Sequence, residues 1–538
     1  MLKSFYLVLL GLFFSGVFLR LFFSPDMNYE TDSFSILLAS KSIFETGEYT
    51  IPPVSLTDYD GNYQTNPGWA VGYSLLLSIL FKIFGYSESI ARIATVLVTS
   101  SVIPIIGIVG YRLQDRKVGI LASILVILSP ILLCVNGRIL TANMGYSMLT
   151  LSISFLILGT IRRKQGVEFI SSEELIRSKH HLFFLSLSFL FFGFTLLSRD
   201  DFVMFAPVFL ISFWRITRHQ YEPPFVQRIK NYMLFFGMAV VFALIGFSPN
   251  LYFNYKTYGK IFTSSHLEYG GRLRLEYLLE GSSGAMGLPG WAVIVLSIIV
   301  FAFPVVSILF IWSKSKAGAL LGSMLVLMII PLLLINGSYP VSSSGASGRY
   351  VIPLIPLGSI ATAILLNSKD MLHRLYYFGF LACLILWHGI LIYPPSIFFQ
   401  YYPQIAYITH YSPWYNKQNY INYPHPIRTT LQWVSNNTPA DSIVLSDYDF
   451  YQYFFYANRD VMNRDLLKDV KKRLMKRKVF FVEDHLFIQN PDLLRNWQDK
   501  LKENQISLKK RNTFPFFSPN RGDKSLNIYE LILSVEST

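Results

Sequence analysis

Along most of the chain, apolar runs of about 17 to 22 residues alternate with short polar loops, a length that crosses a hydrocarbon core of about 30 Å as an α-helix. The runs predict crossings at 5–23, 90–111, 118–135, 143–161, 182–198, 202–214, 232–251, 291–312, 317–335, 350–367 and 375–393, about 11 in all. One further run, 68–85, is apolar enough to count. If it crossed, the clusters Arg112/Arg116/Lys117 and Arg162/Arg163/Lys164 would face outward. Left uncrossed, as an interfacial helix on the outer surface, it lets the strongly basic loops fall inside, including 215–230, Lys314/Lys316 and Lys369/Arg374. The N-terminus is then inside and the C-terminus outside. The first run has no small-residue cleavage site and reads as a retained helix.

After Tyr393-Pro394-Pro395 the pattern changes. A connector rich in Tyr, Pro and Asn runs to about residue 425. Helices are then expected at 429–436, 465–476 and 491–502, and strands at 442–446, 479–482 and 527–533. The chain therefore reads as a polytopic α-helical membrane domain, 1–393, followed by a small extracytoplasmic α/β domain, 394–538. The first outer loop, 24–89, carries the interfacial helices.

Composition refines this picture in two places. The net charge of +14 would suggest nucleic acid in a soluble protein, but many of the Lys and Arg residues fall in short loops between apolar runs. Topology and anionic headgroups account for them, and no nucleic-acid partner is expected. The two cysteines, Cys134 and Cys383, fall inside or at the ends of apolar runs, so neither a disulfide framework nor a Cys-based metal site is available.

Candidate chemistry gathers on the outer side. The segment 24–89 carries Asp26, Glu30, Asp32, Glu45, Glu48, Asp58, Asp60 and Glu88 against only Lys41 and Lys82. Asp32 precedes Phe34, Leu37, Leu38, Ser42 and Ile43, whose spacing predicts a short amphipathic helix. Thr31 or Asp32 would serve there as a plain N-cap, but a carboxylate at this point is also a candidate base. Four arginines fall at the outward ends of spans, where the sign rule makes them scarce: Arg92, Arg138, Arg199 and Arg349. Each alone could be a headgroup anchor. Together, beside an acidic loop, they predict a site for a lipid-linked phosphate. Asp447-Tyr448-Asp449 imitates a metal-holding Asp-x-Asp, but its domain is too small for a nucleotide-sugar fold. His266 and Glu268, in the outer loop 252–290, read first as solvated side chains.

The order of motifs resembles the C-type glycosyltransferases (GT-C), which use polyprenyl-phosphate sugars and include protein O-mannosyltransferases and lipid A aminoarabinose transferases. The resemblance rests on Asp32-Ser33, then Asn66-Pro67-Gly68 leading to Ile83-Phe84-Gly85-Tyr86, then Arg92, and on Leu197-Ser198-Arg199-Asp200. It continues with Arg349-Tyr350 before Pro353 and Pro356, and with Leu431-Gln432-Trp433-Val434 ahead of Thr438 to Leu445. Many relatives have an acidic residue after the third span, where this chain has Arg138 to Asn143, and a basic residue before the Pro turn, where it has Asn66. The Trp-Trp-Asp motif of oligosaccharyltransferases is absent, so en bloc transfer to asparagine is disfavoured.

The resemblance implies transfer of a single hexose or pentose from a polyprenyl-phosphate donor to a lipid, glycan or protein hydroxyl at the outer face of the cell membrane. Asp32 would be the base. Arg92, Arg199, Arg349 and Tyr350 would hold the donor phosphate, with Arg138, Glu30 and His266 as further candidates and no metal or other cofactor required. The competing class is a transporter or flippase of a lipid-linked or anionic solute. The long acidic loop and the scarcity of charge in mid-span weigh against it.

Overall fold

The computed structural model describes residues 2–23, 31–51, 70–129, 132–133, 136, 139–163, 167–169, 178–210, 225–261, 353–367, 426–445, 459–462, 474–483, 491–518 and 522–533, with a few single positions besides. The expected spans 291–312, 317–335 and 375–393 lie almost wholly outside these residues. The contacts divide the chain into two compact units, one of Met1–Asp26 with Gly68–Pro413, the other of Met27–Pro67 with Trp414–Thr538. Residues 27–67 of the first outer loop therefore group with the C-terminal segment, and residues 68–89 with the helices of the first unit.

The first unit is helical. Its elements are α1 (Leu2–Phe23), α3 (Gly72–Phe84), α4 (Glu88–Ser100), α5 (Val102–Leu113), α6 (Arg116–Ile127), α7 (Thr141–Thr160), α8 (Lys179–Ser198), α9 (Phe225–Tyr258) and α10 (Leu354–Leu366). Among the described residues, five stretches are long and apolar enough to cross a membrane: Lys3–Phe22, Glu88–Leu113, Thr141–Thr160, Lys179–Ser198 and Met233–Lys256. This is a multi-pass membrane protein. Burial sets the order of the helices: the α7 window is 94% buried, against 22% for α1 and 17% for α9. α7 is thus the central post, and the apolar faces left open on α1 and α9 suit contact with lipid.

Where the helices depart from the expected spans, the chain chemistry explains it. The helix through the run 118–135 breaks after Ile127, because Ser129 precedes Pro130 and a residue before proline avoids the helical region, and Leu132 and Leu133 are helical again beyond the break. The run 202–214 opens as a 3₁₀ helix, Asp200–Phe205, and not as an α-helix. The run 232–251 extends to 34 residues with Pro249 inside it.

One end of the unit is basic and tied. Asp115 caps α6 by accepting from the Val118 amide at 2.9 Å, and it also accepts from Asn367 Nδ2, just past α10, at 3.1 Å. Arg112, in the last turn of α5, and Arg116 and Lys117, which open α6, lie on either side of Asp115.

α8 and α9 pack through glycine. A Cβ on Gly193 would fall 2.9 Å from the Gly246 Cα and closer still to the Ala243 carbonyl, so neither helix has room for one. Gly193→Ala is expected to cost about 1–3 kcal/mol by forcing the helices apart. Gly237→Ala, where nothing lies within 4 Å, is expected to be neutral or slightly stabilising. Thermal unfolding in detergent separates the two; equal melting points would remove the close packing from the account.

The second unit contains α2 (Thr31–Thr46), α11 (Pro426–Asn437), α12 (Pro491–Glu503) and a five-stranded mixed sheet. Its strands are β3 (Ile443–Leu445), β4 (Asp460–Met462), β5 (Val479–Val482), β6 (Ile506–Ser518) and β7 (Gly522–Leu533), in spatial order β4-β3-β5-β7-β6. A two-stranded ribbon in the first unit, Ile161–Arg163 with Val167–Phe169, supplies β1 and β2. β3 is parallel to β4 and β5; β7 is antiparallel to β5 and β6. Phe481, Trp497, Leu501 and Leu531 close the core, with the Phe481 and Trp497 rings 4.3 Å apart. Of the helix expected at 465–476, the described residues are Val470 and Leu474, which are helical, and Met475 and Lys476, which lie in a turn. In α2 the burial is not a stripe: Ser35 to Ser40 are buried all round, and Phe44 onward is exposed.

Candidate active site

Polar side chains collect inside the first unit around the N-terminal turns of α7. The α6–α7 connection and α7 bury Asn136, Thr141, Asn143 and Tyr146, the two asparagines at 0% exposure. Polar groups sunk this far in a membrane bundle are costly unless they are bonded to one another, and here they meet two arginines.

The first is Arg20, in the last turn of α1 and 1% exposed. Its Nη1 donates to Ser100 Oγ, at the end of α4, at 2.9 Å. With the Asn136 amide turned so that its oxygen faces the guanidinium, that oxygen accepts from Nε and Nη2 at 3.1 Å each, while the amide nitrogen meets the Tyr146 hydroxyl. Four elements are thus joined through one buried cation.

The second is Arg199, the extended residue that ends α8 and turns the chain into the 3₁₀ helix. It is 5% exposed, and its guanidinium lies 5.6 Å from the Phe202 ring centroid. Its aliphatic stem rests on Gly145, where a Cβ would come within 3.2 Å of its Cγ. Arg199 and Arg20 therefore reach consecutive residues of α7, Gly145 and Tyr146.

The start of α3 is fixed beside them. Gly72 lies so close to the Leu197 carbonyl that a Cβ would fall 2.6 Å from it, the Val71 amide points at Asn250 Oδ1 of α9 at 3.5 Å, and the Tyr73 hydroxyl bonds Thr95 of α4. α3 so packs its first turn against the C-terminal turn of α8, next to Arg199.

Of the residues singled out in the sequence, Arg92 lies in α4 and pairs with Glu88 one turn earlier at 2.8 Å, its side chain 16% exposed. Asp32 is the second residue of α2, within its first turn; its side chain lies outside the described residues. So do Glu30, Arg138, His266, Arg349 and Tyr350. Where many relatives would carry an acid after the third span, the buried polar residue is Asn143. Among the described residues, no three of His, Cys, Asp or Glu come together.

Sequence reasoning missed Arg20, Asn136 and Tyr146. The signal was there: a single charge inside an apolar run, three residues from its end. Such a charge reads as a headgroup anchor; only the fold shows that it points inward.

No family model and no curated protein sequence matches the chain. Solved structures do. ArnT from Cupriavidus metallidurans bound to undecaprenyl phosphate aligns over 100% of this chain and 98% of its own, with a TM-score of 0.58 at 11% identity. The archaeal oligosaccharyltransferase AglB from Archaeoglobus fulgidus, in complex with an inhibitory peptide and a dolichol-phosphate, covers 97% of this chain and 74% of its own at a TM-score of 0.52 and 13% identity. The arabinofuranosyltransferase AftD from Mycobacteria covers 98% and 40%, at 0.54 and 12%. With an end-to-end match to ArnT and matches to two further glycosyltransferases, the chain has the fold of the C-type glycosyltransferases.

Proposed function

We propose that this protein moves a single hexose or pentose from a polyprenyl-phosphate donor to a hydroxyl of a lipid, glycan or protein acceptor on the extracytoplasmic face, with inversion at the anomeric carbon. The observation that carries this reading is the match over the whole chain to ArnT, whose structure holds undecaprenyl phosphate. The buried arginines around α7 support it.

The chemistry has two parts. The acceptor oxygen attacks the anomeric carbon, its proton passes to the Asp32 carboxylate, and the bond from that carbon to the phosphate oxygen breaks. The phosphate leaves still attached to the lipid and gains negative charge as it goes. Arg199 and Arg349, with Tyr350, bind that phosphate and stabilise the developing charge. Arg92 shares its charge with Glu88 and takes a secondary part. Arginine supplies the positive charge in this scheme, so no step is assigned to a metal.

Two features support an outer location for the site. The basic residues Arg112, Arg116 and Lys117 lie at the opposite end of the span Glu88–Leu113 from Arg92. α3 has 13 residues, roughly 20 Å and too short to cross. It buries Leu77 and Phe81 while exposing Ile79, Ile83 and Phe84, as a helix lying along the interface would. The same reading has 24–89 and 394–538 both facing outward. In a background without Cys134 and Cys383, the single variants Ser55→Cys, Ser87→Cys and Ser525→Cys are expected to react with a membrane-impermeant thiol reagent in intact cells, and Ser172→Cys to be protected. Labelling at 172, or protection at 87, would mean that 68–85 crosses.

The function itself is tested with purified protein in detergent, given polyprenyl-phosphate hexose and pentose donors and a mixed acceptor fraction. Release of polyprenyl phosphate without a sealed compartment is expected. A protein that releases none, yet moves a lipid-linked solute across proteoliposomes, would be a carrier and not a transferase.

A further inference from the structure

Arg20 has no evident part in the chemistry above, yet it is the most deeply buried cation among the described residues. Its hydrogen-bond partners are Ser100 and Asn136, and Asn136 in turn meets the Tyr146 hydroxyl; all three are neutral. Among the described residues no carboxylate pairs with it. A buried guanidinium is normally matched by an acid, because desolvating a charge is expensive and an opposite charge offsets part of the cost. Here the hydrogen bonds hold the group in place, and among the described residues no acid cancels its charge. An uncancelled charge in a poorly hydrated bundle acts over distance, since little water screens it.

The direction of that field follows from the geometry. Arg20 grips the α6–α7 connection at Asn136 and so the Tyr146 hydroxyl. The residue before Tyr146 is Gly145, the floor on which the Arg199 stem rests. The two arginines flank the same turn of α7, and Arg92 is already paired with Glu88.

We propose that Arg20 is a positioning and charge-supplying residue for the donor phosphate: held by a neutral cradle of Ser100, Asn136 and Tyr146, it adds an unpaired positive charge behind the turn that seats Arg199. This rests on the donor-phosphate reading given above. A unit charge within roughly 10 Å of a phosphate, at an effective dielectric of about 20, changes affinity on the order of tenfold. The neutral cradle is the essential feature, because a carboxylate in its place would leave every hydrogen bond intact and cancel the field.

That contrast gives the test. Binding of undecaprenyl phosphate and of uncharged undecaprenol to the full-length protein in detergent is measured for wild type, Asn136→Asp, Arg20→Gln and Arg20→Lys, with melting temperature as the control for folding. Asn136→Asp is nearly isosteric and gives Arg20 an internal counter-charge. It is expected to keep or raise the melting temperature and to weaken undecaprenyl phosphate about tenfold, leaving undecaprenol unchanged. Arg20→Lys, which keeps the charge, is expected to lose less than about threefold; Arg20→Gln, which removes it, about tenfold.

If Asn136→Asp binds the phosphate as wild type does, or if Lys and Gln at position 20 lose equally, Arg20 is a structural tie and the proposal fails. Should Arg20→Gln not fold, Asn136→Asp alone still decides. A wild-type protein that binds undecaprenol as tightly as undecaprenyl phosphate overturns the donor-phosphate reading itself, and this inference with it.

Discussion

Asp32→Asn is expected to lower glycosyl transfer by at least about 10²-fold, the range over which positioned acid–base groups act, while undecaprenyl phosphate still binds within about twofold of wild type. The substitution keeps the size of the side chain and removes its basicity. Asp32 lies in the first turn of α2. The same position makes a plain capping role the rival account. That rival predicts a different result: loss of a cap costs stability, about 1 kcal/mol, and asparagine caps a helix nearly as well as aspartate. Asp32→Asn would then be close to silent. Measured kcat, KM and melting temperature for Asp32→Asn and Asp32→Ala separate the two, and an Asn variant with more than half the wild-type rate would move the base to Asp26 or Glu30.

What the sequence shows and what it hides follow from how each element is stabilised. α1, α7 and α8 are legible because a membrane helix satisfies its own backbone and needs only an apolar run of sufficient length. The sheet is legible only in part. β5 occupies the four residues expected of it, since Val479 to Val482 are all buried and read as one apolar run. β6 was missed altogether: Lys509, Lys510, Arg511 and Pro515 speak against a central strand, but β6 is the edge of the sheet, where charge and proline are tolerated. Arg511 sits at a break in the β6–β7 register and reaches Glu530 of β7. β4 is three residues long and depends on its pairing with β3, which no local pattern reveals.

The candidate site divides in the same way. Arg199 could be found, because a charge at the outer end of a span breaks the sign rule. Arg20 also lies at the end of a span, yet nothing local distinguishes an arginine that reaches out to headgroups from one that turns inward to Asn136. That difference belongs to the packing of α1 against α4, α5 and α6. It is a long-range property, and so is the shelf that Gly145 makes for Arg199.

That shelf sets the second large effect. Arg199→Ala is expected to reduce kcat/KM by about 10²-fold or more, because a charge-assisted bond to the leaving phosphate grows stronger as the bond breaks, and removing one such donor typically costs this much in rate. Arg199→Lys is expected to recover only part of it, since a point charge does not reproduce the planar fork; Arg349 should behave alike. Geometry gives the sharper comparison. Gly145→Ala leaves the guanidinium and its charge untouched but brings a methyl within 3.2 Å of the Arg199 Cγ and 3.4 Å of Phe202, so the arginine has to shift by a few tenths of an ångström. If Arg199 acts as a shaped phosphate contact, that shift is expected to cost roughly tenfold in kcat with little change in melting temperature, because transition-state contacts depend steeply on position. If it supplies only a diffuse positive field, Gly145→Ala will match wild type and Arg199→Lys will restore full activity. Observing both would reduce Arg199 to general electrostatics and leave the shaped contact to Arg349 and Tyr350.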